Sequence, residues 1–243
     1  MRLWNGWGNE DSDLTMELSD GLRALLEALV GPGTALAQAT LNDVISKVPN
    51  TRLDAHPLII TDPETRVRHA RGQSLPDWLE MHSGNVDTFP DGVAFPESSE
   101  QVRELLAHAK ENHLVVIPYG GGTSVVGHIN PETSEKPLLT IDMGKMNSML
   151  SIDTESQLAT FGAGTPGPIV EEELKKHGYT LGHFPQSWEL STLGGWVASR
   201  SSGQQSLHYG RIENMFAGGR IETLNGTMTI PTIPASSAGP DIR

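Results

Sequence analysis

Residues 98–127 constrain the fold of this chain more than any other stretch. They run from SSEQVRELLAHAKENH through the apolar LVVIP into Gly120-Gly121-Gly122, then Thr123-Ser124 and a further glycine, Gly127. Ser98 and Gln101 have capping-box spacing, and Val102, Leu105, Leu106 and Ala109 fall on one helical face. The spacing predicts a helix, then a strand, then a strand end of bare backbone. Glycine carries no Cβ and turns freely into left-handed conformations. Two readings of the triplet stay open on these residues alone. It is a nest of N–H groups that holds an anion, with Thr123 and Ser124 adding hydroxyl donors, or it is an ordinary surface turn.

The flanking pattern is α+β, without an internal repeat. Leu22, Leu25, Leu26 and Leu29 form one helical face behind a cap at Ser19 or Asp20, and Leu41, Val44, Ile45 and Val48 form another, closed by Pro49. Residues 51–90 are punctuated by prolines and show no sustained period. Residues 1–90 therefore read as a helical and loop extension, and 91–243 as the main domain. In that domain LLTIDM reads as a strand, and SMLSID and QLATFGAG as two more around a turn at 153–156. A helix is expected from about Pro166 to His177 and another within STLGGWVAS. Asn225-Gly226 marks a hairpin in ETLNGTMTI. TIPASSAGPDIR, at the end, offers no closing helix or strand, and reads as a disordered end or a chain cut in mid-domain.

Composition removes several function classes. Seventeen Lys and Arg against thirty Asp and Glu give a formal charge of −13, which repels phosphate backbones and argues against nucleic acid or anionic membrane surfaces as partners. With no cysteine, thiolate nucleophiles, zinc–thiolate sites and cysteinyl cofactor links are ruled out. No apolar run approaches the roughly 20 residues of a membrane helix, so no integral membrane segment is expected. MRLWNGWGNEDSD has no signal-peptide core, and a cytoplasmic protein is expected. The nine histidines lack metal-ligand spacing and there is no G-x-S-x-G elbow, so neither a metal site nor a catalytic residue is assigned. Homo-oligomerisation is left open.

Two glycine motifs are decoys. GAGTPG at 162–167 has dinucleotide-fingerprint spacing, but the expected carboxylate about 20 residues on is absent from YTLGHFPQS. Thr165 and Pro166 read instead as the cap and first residue of a helix. Gly122 to Gly127 has Walker spacing, but His128-Ile129 stand where Lys-Ser/Thr must follow.

A second unusual segment, GHFPQSWELSTLGGWVASRSSG at 182–203, is crowded with hydroxyls and carries Gly194-Gly195 and Arg200. A capped helix packed closely on its neighbour accounts for it alone; with the glycine loop it suggests a long polar ligand. The two segments resemble the FAD-binding fold of the vanillyl-alcohol oxidase and p-cresol methylhydroxylase (PCMH-type) flavoproteins, in particular the alkylglycerone-phosphate synthase branch. WNGWG at 4–8, VAFPESSEQV at 93–102, PYGGGTS at 118–124, STLGGWV at 191–197 and HYGRIEN at 208–214 carry the resemblance. PYGGGTS is also shared with FAD-linked D-lactate and glycolate dehydrogenases.

The resemblance implies a PCMH-type FAD-binding domain of two α+β subdomains and FAD as cofactor. Pro118, Tyr119, Gly120, Gly121, Gly122, Thr123 and Ser124 would hold the pyrophosphate. Gln186, Ser187, Trp188, Glu189, Leu190, Ser191 and Thr192, and then Ser199, Arg200, Ser201 and Ser202, would form the next contacts. The sequence departs from the synthases at Gln186 and Phe184, where they place acidic residues. Thr123 stands where relatives with covalent flavin often carry histidine, so non-covalent FAD is expected, with His128 structural. The resemblance further implies that a glycine-containing segment and a cap domain lie beyond Arg243. The chain is then the N-terminal portion of a longer enzyme that exchanges an acyl for an alkyl group in ether-lipid synthesis, weak in FAD binding and inactive alone. The alternatives are an FAD-linked oxidase or dehydrogenase of a 2-hydroxy acid such as D-lactate or glycolate, and a non-catalytic remnant serving as a binding module.

Overall fold

A computed structural model describes residues 2–11 and 18–231; the tail at 232–243 lies outside them. The helices are α1 (Asp20–Val30), α2 (Leu41–Ile45), α3 (Pro63–Arg68), α4 (Leu75–Ser83), α5 (Ser99–Glu111), α6 (Gly167–Lys176), α7 (Leu193–Ser199), α8 (Ser206–Tyr209) and α9 (Ile212–Met215). The strands are β1 (Ile59–Ile60), β2 (Gly92–Ala94), β3 (Val115–Tyr119), β4 (Leu138–Asp142), β5 (Met149–Asp153), β6 (Leu158–Phe161), β7 (Gly219–Thr223) and β8 (Gly226–Ile230). A four-stranded sheet has the order β1-β2-β4-β3. Its last three strands are parallel, Gly92 opposite Leu139 and Tyr119 opposite Asp142, and β1 joins antiparallel at the edge.

Strand β4 is central because LLTI can be buried on both faces. On one face Leu139 and Ile141 meet Ala94 and Leu105; Leu138 packs with Ile117, Tyr119 and Ile129. Helix α5 makes the β2-to-β3 crossover and buries Val102, Leu105 and Ala109. Only half of its expected capping box forms. The Ser98 hydroxyl accepts from the Gln101 amide at 3.3 Å, but the Gln101 side chain accepts from the Glu97 amide at 2.7 Å.

Two other local expectations need correction. Pro166, not Thr165, occupies the cap position of α6, and the buried Thr165 hydroxyl donates to the Gly162 carbonyl at 2.7 Å. In the β7–β8 hairpin Thr223 pairs with Gly226, so the two-residue loop is Leu224-Asn225 rather than Asn225-Gly226. The β5–β6 turn is set by Asp153, whose carboxylate accepts from the amides of Glu155 and Ser156, both at 3.0 Å. Helix α1 forms behind its Ser19 cap, yet none of its residues is buried. Among the described residues no helix is long and apolar enough to cross a membrane.

The 40–90 stretch folds around its own apolar cluster of Val44, Val67, Ala70, Met81, Val86 and Phe89, against which Trp4 packs. It joins the sheet through buried charge. Arg66 donates to the Pro90 and Pro49 carbonyls, at 2.6 and 2.7 Å. Arg71 reaches Glu80, Asp87 and the Thr88 carbonyl. Asp91 ties three chain segments together: its carboxylate accepts from the Arg52 guanidinium at 2.6 and 2.9 Å, the Arg52 amide at 3.1 Å and the Leu138 amide at 2.8 Å. Burial alone would raise the Asp91 pKa, but hydrogen bonds from Arg52 and Leu138 outweigh it and hold the carboxyl below its ordinary value.

That depression fixes the sign of a pH effect. A lowered carboxylate pKa stabilises the fold above the unfolded value of about 3.9, and the stabilisation is lost as pH falls through the folded value. Asp91→Asn is expected to destabilise the chain by about 2 kcal/mol at pH 7, since it leaves the buried Leu138 and Arg52 donors poorly matched. Urea denaturation of both forms across pH 7 to pH 3 should show a difference that is constant above about pH 5 and shrinks in acid. A pH-independent difference would contradict this.

Candidate functional site

The glycine loop leaves the carboxyl end of β3, the side of a parallel sheet where ligand crevices form. Beneath it lies Tyr119, whose buried phenol is pushed up to about 12 by desolvation and by the Asp142 carboxylate, against the opposing charge of Arg2. The phenol is therefore neutral. The ring packs on His69 with centroids 4.6 Å apart, and His69 Nε2 lies 3.0 Å from Asp142.

Each glycine of the triplet is required by what touches it. A Cβ on Gly120 would lie 2.3 Å from the Thr192 hydroxyl, and one on Gly121 would lie 1.9 Å from the Leu190 carbonyl oxygen. Gly122 has φ 66° and faces the Tyr119 hydroxyl. The two segments singled out in the sequence are thus packed face to face, and the missing Cβ atoms make room for one loop against the other. GAGTPG joins them from behind. A Cβ on Gly167 would meet Trp188, Gly194 lies against Ala163, and the Leu193 amide donates to the Thr165 carbonyl at 2.9 Å. Gly162 and Gly164 pack against the carbonyls of Met146 and Met143. Among the described residues, β6 before this motif pairs antiparallel with β5 alone, not in a parallel unit, and the glycines of the motif serve close packing.

Outside the packed face, the loop is pinned at two carbonyls, one within the triplet and one beyond it. Arg2 Nη1 donates to the Gly121 carbonyl at 2.5 Å, and the Gln73 amide donates to the Ser124 carbonyl at 2.6 Å. Among the described residues, the amides of Gly121, Gly122 and Thr123 donate to no protein acceptor. No acidic side chain occurs between Val115 and Ile129. Successive unpaired donors in an acid-free turn suit a pyrophosphate.

The other candidate residues divide into two groups. Ser191, Thr192, Ser199 and Ser201 hydroxyls are engaged within the protein. Ser191 donates to the Ser187 carbonyl and accepts from Trp196 Nε1, Thr192 caps α7, Ser199 donates to the Gly195 carbonyl, and Ser201 pairs with His183 at 2.8 Å. Gln186, Glu189 and Ser202 are exposed, while Ser187 and Trp188 are half-buried. Arg200 takes a left-handed conformation at φ 52° and pairs with Glu213 at 3.0 Å. Among the described residues no hydrogen bond joins Ser199 to Ser202 with the glycine loop; α7 provides the connection. His183 is buried, its Nδ1 has no partner, and burial lowers its pKa, so the ring is neutral. Arg2 and Gln73 are site-building residues that no local motif announces, and the GAGTPG backbone builds the site by close packing rather than as the fingerprint its spacing resembles.

Comparison with known proteins decides what the arrangement belongs to. The sequence matches the FAD binding domain family over residues 90–230, more than half of the chain. The chain belongs to that family. FAD is its cofactor, and the unpaired amides described above fit the cofactor's pyrophosphate. The alkyldihydroxyacetonephosphate synthase of Dictyostelium discoideum is 41% identical over 73% of this chain and 29% of its own length. That of Caenorhabditis elegans is 31% identical over 99% of this chain and 45% of its own. A solved alkyldihydroxyacetonephosphate synthase superposes with a TM-score of 0.84 at 31% identity, covering 99% of this chain and 49% of that one. D-lactate dehydrogenases match at lower identity. The chain thus spans half or less of the length of these relatives.

The packing yields a direct expectation. Gly121→Ala must displace the Leu190 carbonyl, a backbone atom, and is expected to destabilise the chain by about 2–3 kcal/mol. Gly33→Ala, with nothing within 4 Å of the new Cβ, should stay within about 0.5 kcal/mol of the unaltered chain. Urea denaturation of both variants checks this; equal stabilities would show that the loops are not in contact.

Proposed function

We propose that residues 118–124 hold the FAD pyrophosphate, and that the chain is the cofactor-binding part of an alkyldihydroxyacetonephosphate synthase-like flavoprotein. The observation that carries this reading is the set of unpaired amides at Gly121, Gly122 and Thr123, on a loop fixed from both sides at the end of a parallel strand. The whole enzyme would exchange the acyl group of acyl-dihydroxyacetone phosphate for a fatty alcohol. FAD, when bound, supplies the redox and nucleophilic chemistry of its isoalloxazine ring. This chain's residues bind and orient it. The three amides and the Thr123 hydroxyl donate to the pyrophosphate, while Gln186 to Thr192 and Ser199 to Ser202 line the continuation of the cofactor. Ser187 and Ser202 supply hydroxyls that, among the described residues, no protein acceptor takes.

Thr123 has no ring nitrogen to bond a flavin, and His128 Nδ1 lies 3.1 Å from the Ser124 hydroxyl, which supports non-covalent attachment. Residues 1–90 are read as an extension that buttresses the 91–243 FAD-binding domain, in keeping with a family match that begins at residue 90. A cytoplasmic location is part of the same proposal.

FAD titrated into the chain, followed by flavin fluorescence, should show saturable but weak binding. Thr123→Asp, which places a carboxylate beside the pyrophosphate without entering the packed face, should weaken it by about tenfold or more with the thermal midpoint unchanged. The whole enzyme that contains this sequence, loaded with FAD, should turn over acyl-dihydroxyacetone phosphate to fatty acid and alkyl product when a fatty alcohol is added, and this chain alone should not. Unsaturable FAD binding would contradict the site; reduction of an electron acceptor by D-lactate, without acyl release, would contradict the reaction.

A further inference from the structure

We propose that Arg2 is a positioning residue of the phosphate-binding loop, acting through the Gly121–Gly122 peptide. This inference rests on the FAD reading of residues 118–124 and adds a residue far from them in sequence. In a trans peptide the C=O and the next N–H point in opposite directions, and the structure has no cis peptide bond among its described residues. By drawing the Gly121 carbonyl toward the N-terminal segment at 2.5 Å, Arg2 turns the Gly122 N–H to the other side, where no acceptor among the described residues meets it. The guanidinium charge also polarises that peptide, strengthening its N–H as a donor to an anion.

Arg2 is itself held. Its carbonyl accepts from Arg68 Nη1 at 2.9 Å, and Arg68 pairs with Glu64 at 2.9 Å. Leu3 and Gly8 close the turn with a 3.0 Å hydrogen bond, Arg2 bridges to Asn9, and Trp4 packs on the 40–90 cluster. At the far end of the loop the Gln73 amide holds the Ser124 carbonyl in the same manner, with Gly72 bonded to Asn130 and Asn130 to Asp77. A run of three glycines loses more conformational entropy on ordering than any other tripeptide. Fixing the Gly121 carbonyl within that run, and the Ser124 carbonyl just beyond it, before the ligand arrives removes part of that cost from binding. The N-terminal turn is therefore part of the cofactor site, although it touches the loop from the side away from the ligand.

The test is FAD affinity and apoprotein melting for Arg2→Ala and Arg2→Lys in the full chain, with the Gly122 amide resonance recorded in each. Arg2→Ala is expected to raise the FAD Kd about tenfold, to move the Gly122 resonance, and to leave the melting midpoint in place. Arg2→Lys, which keeps a charged donor, should recover part of both. Unchanged affinity in Arg2→Ala, or a loss matched by a fall in the melting midpoint, overturns the inference. If Thr123→Asp weakens FAD while Arg2→Ala does not, the inference alone fails. If the unaltered chain binds no FAD, the reading beneath it fails as well.

Discussion

The rest of the site depends on one backbone contact, the approach of the Leu190 carbonyl and Thr192 hydroxyl to Gly120 and Gly121. That contact exists only because two Cβ atoms are absent. It brings together a loop at the end of β3 and a segment some 70 residues later in the chain. The second segment is backed by GAGTPG through Gly167 and Trp188, and through Gly194 and Ala163. Three glycine-bearing stretches thus stack as layers. Because the Cα faces of Gly120 and Gly121 point into this stack, their peptide edges, and not those faces, are left to meet a ligand.

The charges around the sheet serve the same end. The buried Arg66 and Arg71 donate to carbonyls and carboxylates within the 40–90 stretch, and the partly exposed Arg52 reaches from it to Asp91 beside β2 and to the Ser134 carbonyl ahead of β4. Removing one member of such a network leaves its partners unmatched, which is why these contacts hold elements together more firmly than surface ion pairs do. The loop inherits that rigidity through Gln73 and Arg2. Helix α1, with an apolar stripe but no buried residue, stands outside the network.

What could be read from the sequence followed the range of its physics. Helix α5, β3 and the β5–β6 hairpin obey local periodicity and turn chemistry, and each formed where expected. Helices α3 and α4 escaped because Pro63 and Pro76 look like breakers in a stretch without period; both stand in the first helical turn, where proline fits, behind the Asp62 and Ser74 caps. Ser74 and Asp77 form a capping box, a start signal whose spacing the sequence carries. Strand β2 has three residues, all buried, and so no alternation to detect. The glycine triplet stood out at once, but its partner at Leu190 and its tether at Arg2 are long-range facts that no local pattern encodes. GAGTPG misled in the other direction: its spacing resembles a ligand fingerprint, while its glycines answer to Met143, Met146 and Trp188.

We propose that the free peptide edges of Gly121 to Thr123, and not the GAGTPG turn, receive the phosphates of FAD. Mapping backbone amide shifts of the isotope-labelled chain during FAD addition tests it most directly. The largest early shifts are expected at Gly121, Gly122 and Thr123, moving downfield as their N–H groups acquire a charged acceptor. Shifts centred on Gly162 to Gly167, with the triplet unmoved, would contradict it.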